Sequence, residues 1–271
     1  MNKLDGVIGF IGAGNMATAL IKGLINSNHD PNHIISSSPE EDHLIKLSSL
    51  NIKTTLENLQ VIEMSDIIIL AVKPNIIESV LNQIKEEVIK KDILVISIAA
   101  GIKLDKIKSI LGDEAKIIRA MPNTPASIME GVTAISPNEN ANSEDRKKAQ
   151  LLFECVGKVT EIEEKEIDIF TALIGSGPAY VFYLIESLLD SSESLSISEG
   201  EKVGLIASMI KGAAKLASES KDSPEVLRNK VTSPGGVTQR AIEEFERKKL
   251  KVIIKKSMES AEKRSIELGE D

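Results

Sequence analysis

The chain has 271 residues, 42% of them hydrophobic, which is enough apolar side chain for one large core or two modest ones and excludes a mainly disordered chain. Lysine and arginine number 33 against 41 aspartates and glutamates, a net charge of -8, and no basic cluster is interleaved with aromatics, so nucleic acid is not an expected partner. The one cysteine, Cys155, cannot form an internal disulfide or a cysteine metal site; in its apolar run it reads as a buried thiol of a protein kept in a reducing compartment, and no metal is expected.

The first apolar run, Val7 to Ile11, is followed by Gly12-Ala13-Gly14-Asn15-Met16-Ala17 and then by a helical pattern from Asn15 whose inward face is Met16, Leu20, Gly23 and Leu24. Strand, glycine turn and helix in that order are the context that a dinucleotide fingerprint requires. Gly12 permits the tight turn, Gly14 lets backbone approach a pyrophosphate, and small Ala17 lets the helix pack close on the sheet. The phosphates would meet free N–H groups at the positive end of the helix. The same spaced glycines, with Asp5 before them, fit this loop better than a signal peptide.

The second strand is read at Ile34 to Ser36. About twenty residues past the glycines, an NAD enzyme usually carries an acid for the ribose 2'-hydroxyl. Ser36, Ser37 and Ser38 stand there instead, followed by Pro39, and short hydroxyls can donate to a 2'-phosphate that no carboxylate repels. The expectation is NADP(H) in preference, with NAD(H) possible because Asp30 and Glu40 are close in sequence and no arginine clamp is visible. All three histidines, His29, His33 and His43, cluster around this strand and read as exposed loop residues, so no acid–base histidine is expected. Chemistry that needs no strong acid is favoured, and hydride addition to a protonated C=N bond leaves an amine rather than an alkoxide.

Further strands are read at Ile67 to Val72, Leu94 to Ala99 and Lys116 to Arg119, alternating with helices, which predicts a mostly parallel sheet covered on both faces. Gly131 to Ser136 and Lys158 to Ile162 flank a helix at Ser143 to Val156 and would add edge strands. The longest apolar runs, Ile67 to Val72 and Ile93 to Ala100, are strand-sized, so no membrane span and a cytoplasmic protein are expected. The sheet is expected to end near residue 163, giving a Rossmann-type domain over 1–163 and an all-helical domain over 164–271.

In that second half apolar residues recur at helical spacing, as in Ile167, Phe170, Thr171 and Ile174, and later Val203, Ile206, Ala207 and Ile210. Ser176-Gly177-Pro178 and Ser233-Pro234-Gly235-Gly236 read as two helix starts of one design, with proline in the first turn. The serine-rich Asp190 to Ser198 reads as a break, closed by a capping box of Ser198 and Glu201. The start at Ser233 to Thr238 offers backbone N–H groups with no bulky side chains in the way, suited to a carboxylate, and Thr238 could direct its hydroxyl at the nitrogen of an imine. An ordinary capped helix reads equally well from the residues alone.

Taken together, Gly9 to Ala17, Ala71-Val72-Lys73-Pro74, Val95 to Gly101, Arg119 to Pro125, Gly175 to Tyr180 and Thr232 to Gly236 resemble the pyrroline-5-carboxylate reductase family from about residue 6 to the C-terminus. The resemblance implies a Rossmann domain, a helical domain that interlocks with a second subunit, and a homodimer often built into a larger ring-like oligomer. It implies hydride transfer from NADPH or NADH to 1-pyrroline-5-carboxylate, giving L-proline. By motif, Gly12, Ala13, Gly14, Asn15 and Met16 hold the dinucleotide and Asn58 reaches its adenosine end, beside Ser36, Ser37 and Ser38, which are read as cofactor residues from their place after the second strand. Ala71, Val72, Lys73, Pro74, Ala99, Ala100 and Gly101 line its ribose and nicotinamide, Met121, Asn123 and Thr124 face the nicotinamide, and Glu164 is a further cofactor candidate. Thr124, Ser233, Gly235, Gly236, Val237 and Thr238 hold the substrate, with Thr238 the catalytic hydroxyl and the loop contributed by the partner subunit.

This sequence departs from the family at Val237, where a threonine is usual, and in its serine-rich 190–198 segment. The competing readings are a β-hydroxyacid dehydrogenase, which would need a lysine on the helix beginning at Gly177 where none occurs (Lys211 lies on a later helix), and a non-catalytic dinucleotide sensor.

Overall fold

The computed structural model describes residues 4–269, so the outermost residues of the two expected domains lie outside it. One sheet of eight strands has the order β3-β2-β1-β4-β5-β6-β7-β8. Its strands are β1 (Ile8–Ile11), β2 (Ile34–Ser37), β3 (Lys53–Thr55), β4 (Ile67–Leu70), β5 (Leu94–Ser97), β6 (Lys116–Met121), β7 (Gly131–Pro137) and β8 (Gly157–Glu161). The first six pair in parallel, β7 runs antiparallel to β6, and β8 is parallel to β7. Chain order reverses between β1 and β4, the switch point beside which an open α/β sheet keeps its ligand crevice, outside the carboxyl ends of the strands.

Six helices cover the sheet: α1 (Asn15–Asn26), α2 (Glu41–Ser48), α3 (Asn58–Met64), α4 (Ile77–Lys91), α5 (Leu104–Leu111) and α6 (Ser143–Glu154). Side chains alternate across each strand, so Ile67 and Ile69 of β4 join Leu20 of α1, Leu47 of α2 and Phe153 of α6 on one face. Ile68 and Leu70 join Val61 of α3, Ile84 of α4 and Ile107 of α5 on the other. Because both faces are buried, central strands read as unbroken apolar runs such as Ile67-Ile68-Ile69-Leu70, and each fully buried Leu or Ile contributes about 1.5–3 kcal/mol.

Several expectations change here. β3 was not anticipated: Lys-Thr-Thr on an edge carries no apolar signal. β7 lies one strand inside the edge, and β8 alone forms it. His29 is buried rather than exposed, with its ring centroid 6.4 Å from that of His33 in an edge-on contact. Cys155 is half-buried beside α1 and α6 rather than fully buried, its Sγ 2.7 Å from the Leu152 carbonyl, and desolvation pushes its thiol pKa up to about 12. At pH 8 only about one folded molecule in ten thousand would carry the thiolate, so iodoacetamide should label Cys155 slowly in the native protein and promptly in denaturant. Rapid native labelling would contradict this burial.

Beyond the sheet the chain is helical: α7 (Ile167–Phe170), a π-turn at Thr171–Gly175, α8 (Gly177–Asp190), α9 (Glu199–Glu219), α10 (Pro224–Lys230), α11 (Val237–Arg247) and α12 (Leu250–Leu268). The Ser198 hydroxyl accepts the Glu201 N–H and starts α9 after the serine-rich break. Pro234 does not sit in a first helical turn as expected; it lies in the turn before α11, whose N-cap is Gly236.

From Glu164 to Asp190 the helical path is continuous, and by length and composition it could cross a membrane. The sequence hides this length because Gly175-Ser176-Gly177-Pro178 interrupts the apolar run, whereas the backbone passes through by a π-turn closed by the Ser176 N–H on the Thr171 carbonyl at 2.8 Å.

Two compact units result: the chain up to Ser176 together with the chain from Ala261 onward, and Gly177–Ser260. The division falls past residue 163 because Glu164 and Ile174 are hydrogen-bonded to residues of β6 and its following loop. Within Gly177–Ser260 only Ser192 is buried, while Phe182, Tyr183, Leu184, Leu205, Met209 and Ile253 are each at least half exposed. Helices with this much uncovered apolar surface require a covering partner.

Candidate active site

β1 ends at Ile11, and the backbone turns at Gly12 with φ +106°, a region that L side chains rarely adopt. A Cβ there would lie 2.4 Å from the Ala71 carbonyl oxygen, and the Gly12 N–H already donates to the Ser37 carbonyl at 2.9 Å. Gly12 thus locks together the carboxyl ends of β1, β2 and β4. Gly14, the N-cap of α1, is the opposite case: a Cβ there would meet nothing within 4 Å. The first turn of α1 has no side-chain cap and no acidic residue. Its first N–H groups, which no helix can satisfy internally, follow directly on that open glycine. A pyrophosphate fits this cradle: Ala13 is buried beneath it, and Asn15 and Met16 supply the first turn.

At the end of β2 the serines divide. Ser36 is fully buried on the α1 face and its hydroxyl has no hydrogen-bond partner, so its contribution is confined to the interior. Ser37 Oγ donates to Asn58 Oδ1 at 2.7 Å, and Asn58 Nδ2 donates to Gln83 Oε1 at 2.9 Å. Ser38 Oγ accepts the Glu40 N–H at 3.1 Å at the strand's end, and the Glu40 carboxylate pairs with His43 Nε2 at 3.3 Å. Ala71 and Val72 leave β4 half-buried, and exposed Lys73 is the N-cap of a short 3-10 turn that begins at Pro74. Ala99, Ala100 and Gly101 follow the carboxyl end of β5, with Ala100 exposed and the other two buried.

Two expected contact residues are engaged by the protein itself. Asn123 Nδ2 donates to the Ile174 carbonyl at 3.1 Å and Asn123 Oδ1 accepts the Val132 N–H at 2.9 Å, so its amide fastens the π-turn to the loop after β6. Glu164 Oε1 accepts the Leu104 N–H at 2.7 Å and lies 3.1 Å from Nη1 of Arg119. Met121 stands half-buried at the end of β6 with its methyl 3.0 Å from the Cβ position of Gly175, and Thr124 is exposed at the start of the next turn.

In the second unit, Ser233 to Thr238 form an exposed turn into α11. Gly235 has φ +72°, its N–H donates to Gln239 Oε1 at 2.6 Å, and the Gly236 N–H donates to the Ser233 carbonyl at 3.0 Å. Two of the anticipated N–H groups are therefore spent inside the turn. Those left for an anion belong to the first turn of α11, including Val237 and Thr238. Val237 is 90% exposed, so its departure from threonine disturbs no packing.

Gln239, Gln83 and Arg119 were missed. Arg119 left a signal, since an arginine between Ile118 and Ala120 in a buried strand must find a carboxylate or carry an unpaired charge.

Sheet order, glycine turn and open helix start define a Rossmann-type oxidoreductase that uses a nicotinamide dinucleotide. The family described as NADP oxidoreductase, coenzyme F420-dependent, matches residues 7–101, and the family described as pyrroline-5-carboxylate reductase dimerisation matches residues 164–268. Among curated relatives, the pyrroline-5-carboxylate reductases of Methanosarcina acetivorans and Escherichia coli are each 38% identical, covering 97% and 95% of this chain and 97% and 98% of their own. The solved pyrroline-5-carboxylate reductase of Coxiella burnetii superposes with a TM-score of 0.92 at 36% identity, over 98% of this chain and 99% of its own. That of Plasmodium falciparum, with NADP bound, gives 0.90 at 33% identity, over 99% of this chain and 100% of its own. A prephenate dehydrogenase from Aquifex aeolicus at 14% identity and a TM-score of 0.56 shares the fold alone. The chain belongs to the pyrroline-5-carboxylate reductase family. The dimerisation region makes it a homo-oligomer, in accord with the uncovered helices of the second unit.

Proposed function

We propose that this chain takes NADPH in preference to NADH for the reaction of its family and binds its substrate at the start of α11. The reaction is the reduction of 1-pyrroline-5-carboxylate to L-proline, the last step of proline synthesis. The observation that carries the site assignment is the cradle at Gly12 to Gly14, open at Gly14 and facing an uncapped α1. When bound there, the reduced nicotinamide supplies a hydride to the ring carbon of the C=N bond.

The chain's own residues do the rest. Gly12 to Met16 hold the pyrophosphate, and Ser37 and Ser38, with Asn58 behind them, receive the adenosine ribose and its 2'-phosphate. Ala71 to Pro74 and Ala99 to Gly101 line the crevice at the carboxyl ends of β4 and β5, beside Met121 and Thr124. Asn123 and Glu164 act as supports, through the hydrogen bonds that occupy them. The N–H groups at the start of α11 hold the substrate carboxylate within the turn shaped by Ser233, Gly235 and Gly236. Thr238 Oγ holds the proton at the ring nitrogen. An iminium carbon is already electrophilic and the product is an amine, so no histidine is needed.

The preference for NADPH is supported by the end of β2, where hydroxyls stand and the carboxylate of Glu40, two residues past Ser38, is paired with His43. We assign substrate binding and dimerisation to residues 164–271, a dimer as the unit of a larger ring-like assembly, and a cytoplasmic location in keeping with the single, half-buried thiol. Incubation with 1-pyrroline-5-carboxylate and either cofactor should consume the cofactor and yield proline, with the higher kcat/KM for NADPH. No turnover with either cofactor refutes the reading, and a higher kcat/KM for NADH overturns the preference.

A further inference from the structure

The loop from Ile98 to Lys103, between β5 and α5, is pinned from outside the sheet at two places. At its far end the Leu104 N–H donates to Glu164 Oε1 at 2.7 Å, and Arg119 holds the same oxygen at 3.1 Å. At its middle the end of α12, with Gly269 after it, lies directly on Gly101. Gly101 has φ +78°, and a Cβ there would stand 2.7 Å from the Leu268 carbonyl oxygen and 3.4 Å from the Gly269 nitrogen. The contact is reciprocal, since a Cβ on Gly269 would stand 2.8 Å from the Gly101 carbonyl oxygen and 3.3 Å from Lys103 Cε.

The nearest atom each Cβ would meet is a backbone carbonyl oxygen of the facing segment, and glycine on each side permits the approach. The helix end does not owe its place to apolar burial: Ile266 is 39% and Leu268 47% exposed. It is fixed instead by Ser265, which is 9% exposed and donates from Oγ to Asp168 Oδ1 at 2.7 Å, and by the Gly269 N–H, which closes on the Ile266 carbonyl at 2.9 Å. A segment that buries little apolar surface, yet presses its backbone against a left-handed glycine in a loop at the carboxyl edge of a Rossmann sheet, is placed to set the position of that loop.

We propose that Ser265–Gly269 is a positioning element for the cofactor loop Ala99–Gly101, holding that loop at the height the dinucleotide requires. The proposal rests on the assignment of this loop to the dinucleotide given above. Ser265 and Gly269 touch neither substrate nor cofactor; they act through Gly101. Their loss therefore weakens cofactor binding and leaves the imino acid's own site at α11 intact.

The test uses the full-length oligomer, a chain ending at Arg264, Ser265→Ala, and Gly101→Ala in both the full-length and shortened chains. NADPH affinity is read from the cofactor's own fluorescence on titration, alongside KM for each substrate, kcat and the assembly's mass by light scattering. The shortened chain should bind NADPH at least about 10-fold more weakly, with KM for the imino acid and the mass unchanged and Ser265→Ala intermediate. Gly101→Ala should cost less affinity in the shortened chain, because the Leu268 carbonyl it collides with is gone. Wild-type affinity in the shortened chain overturns the proposal, as does an equal Gly101→Ala penalty in both backgrounds. Should the shortened chain fail to fold, Ser265→Ala decides alone, and unchanged NADPH affinity there overturns it. Failure of the wild-type enzyme to bind NADPH or NADH strikes at the cofactor assignment instead.

Discussion

Replacing Thr238 with alanine should lower kcat by about 100-fold while NADPH affinity stays near its wild-type value, because the hydroxyl is assigned to the ring nitrogen and not to the dinucleotide. The structure favours a clean result. Thr238 is exposed at the start of α11, and the turn before it is closed by Gly235 and Gln239 without its help. Loss of the methyl and hydroxyl should leave both the turn and the melting temperature unaffected. Steady-state kinetics with saturating NADPH, paired with a cofactor titration, separate the two quantities. An unchanged kcat would remove Thr238 from the mechanism, and an equal fall in cofactor affinity would place it at the wrong ligand.

Gly12→Ala should be the most damaging single change in the cofactor cradle. The substituted residue would hold a φ of +106°, which costs a side chain roughly 1–3 kcal/mol, and its Cβ would sit 2.4 Å from the Ala71 carbonyl oxygen. That carbonyl cannot retreat cheaply, because the Ala71 N–H is tied to the Ile11 carbonyl at 2.8 Å. The carboxyl ends of β1 and β4 must therefore part where the pyrophosphate is expected. NADPH affinity should fall at least about 100-fold and the melting temperature should drop. Gly14→Ala makes the comparison, since its Cβ meets no protein atom within 4 Å: the fold should tolerate it while the cofactor does not. If Gly12→Ala binds NADPH like wild type, the cradle is elsewhere.

The sequence is most legible where local chemistry and tertiary position agree. Ile67 to Leu70 is unbroken because both faces of β4 are buried, and Gly12 has a backbone reason to be glycine, whereas the protein itself would admit a Cβ at Gly14. Legibility fails where position is set by a distant residue. Lys53 to Thr55 become a strand only because β2 offers them an edge. The glycines and proline at 175–178 look like a break, but the helix continues because a π-turn absorbs the extra residue and Asn123 secures the Ile174 carbonyl. Glu164 matched a motif position, yet its carboxylate is committed to Arg119 and the Leu104 N–H, partners separated from it by 45 and 60 residues. Ser36 shows the same limit: it shares a tripeptide with Ser37 and Ser38, but strand alternation turns it into the interior.

The bare helices between Gly177 and Ser260 have a thermodynamic consequence. A segment with a single buried residue cannot offset its own ordering entropy, so association with a second chain is part of folding and not an event that follows it. For such a protein, dilution acts as a denaturant, and a melting temperature has meaning only when the protomer concentration is stated beside it.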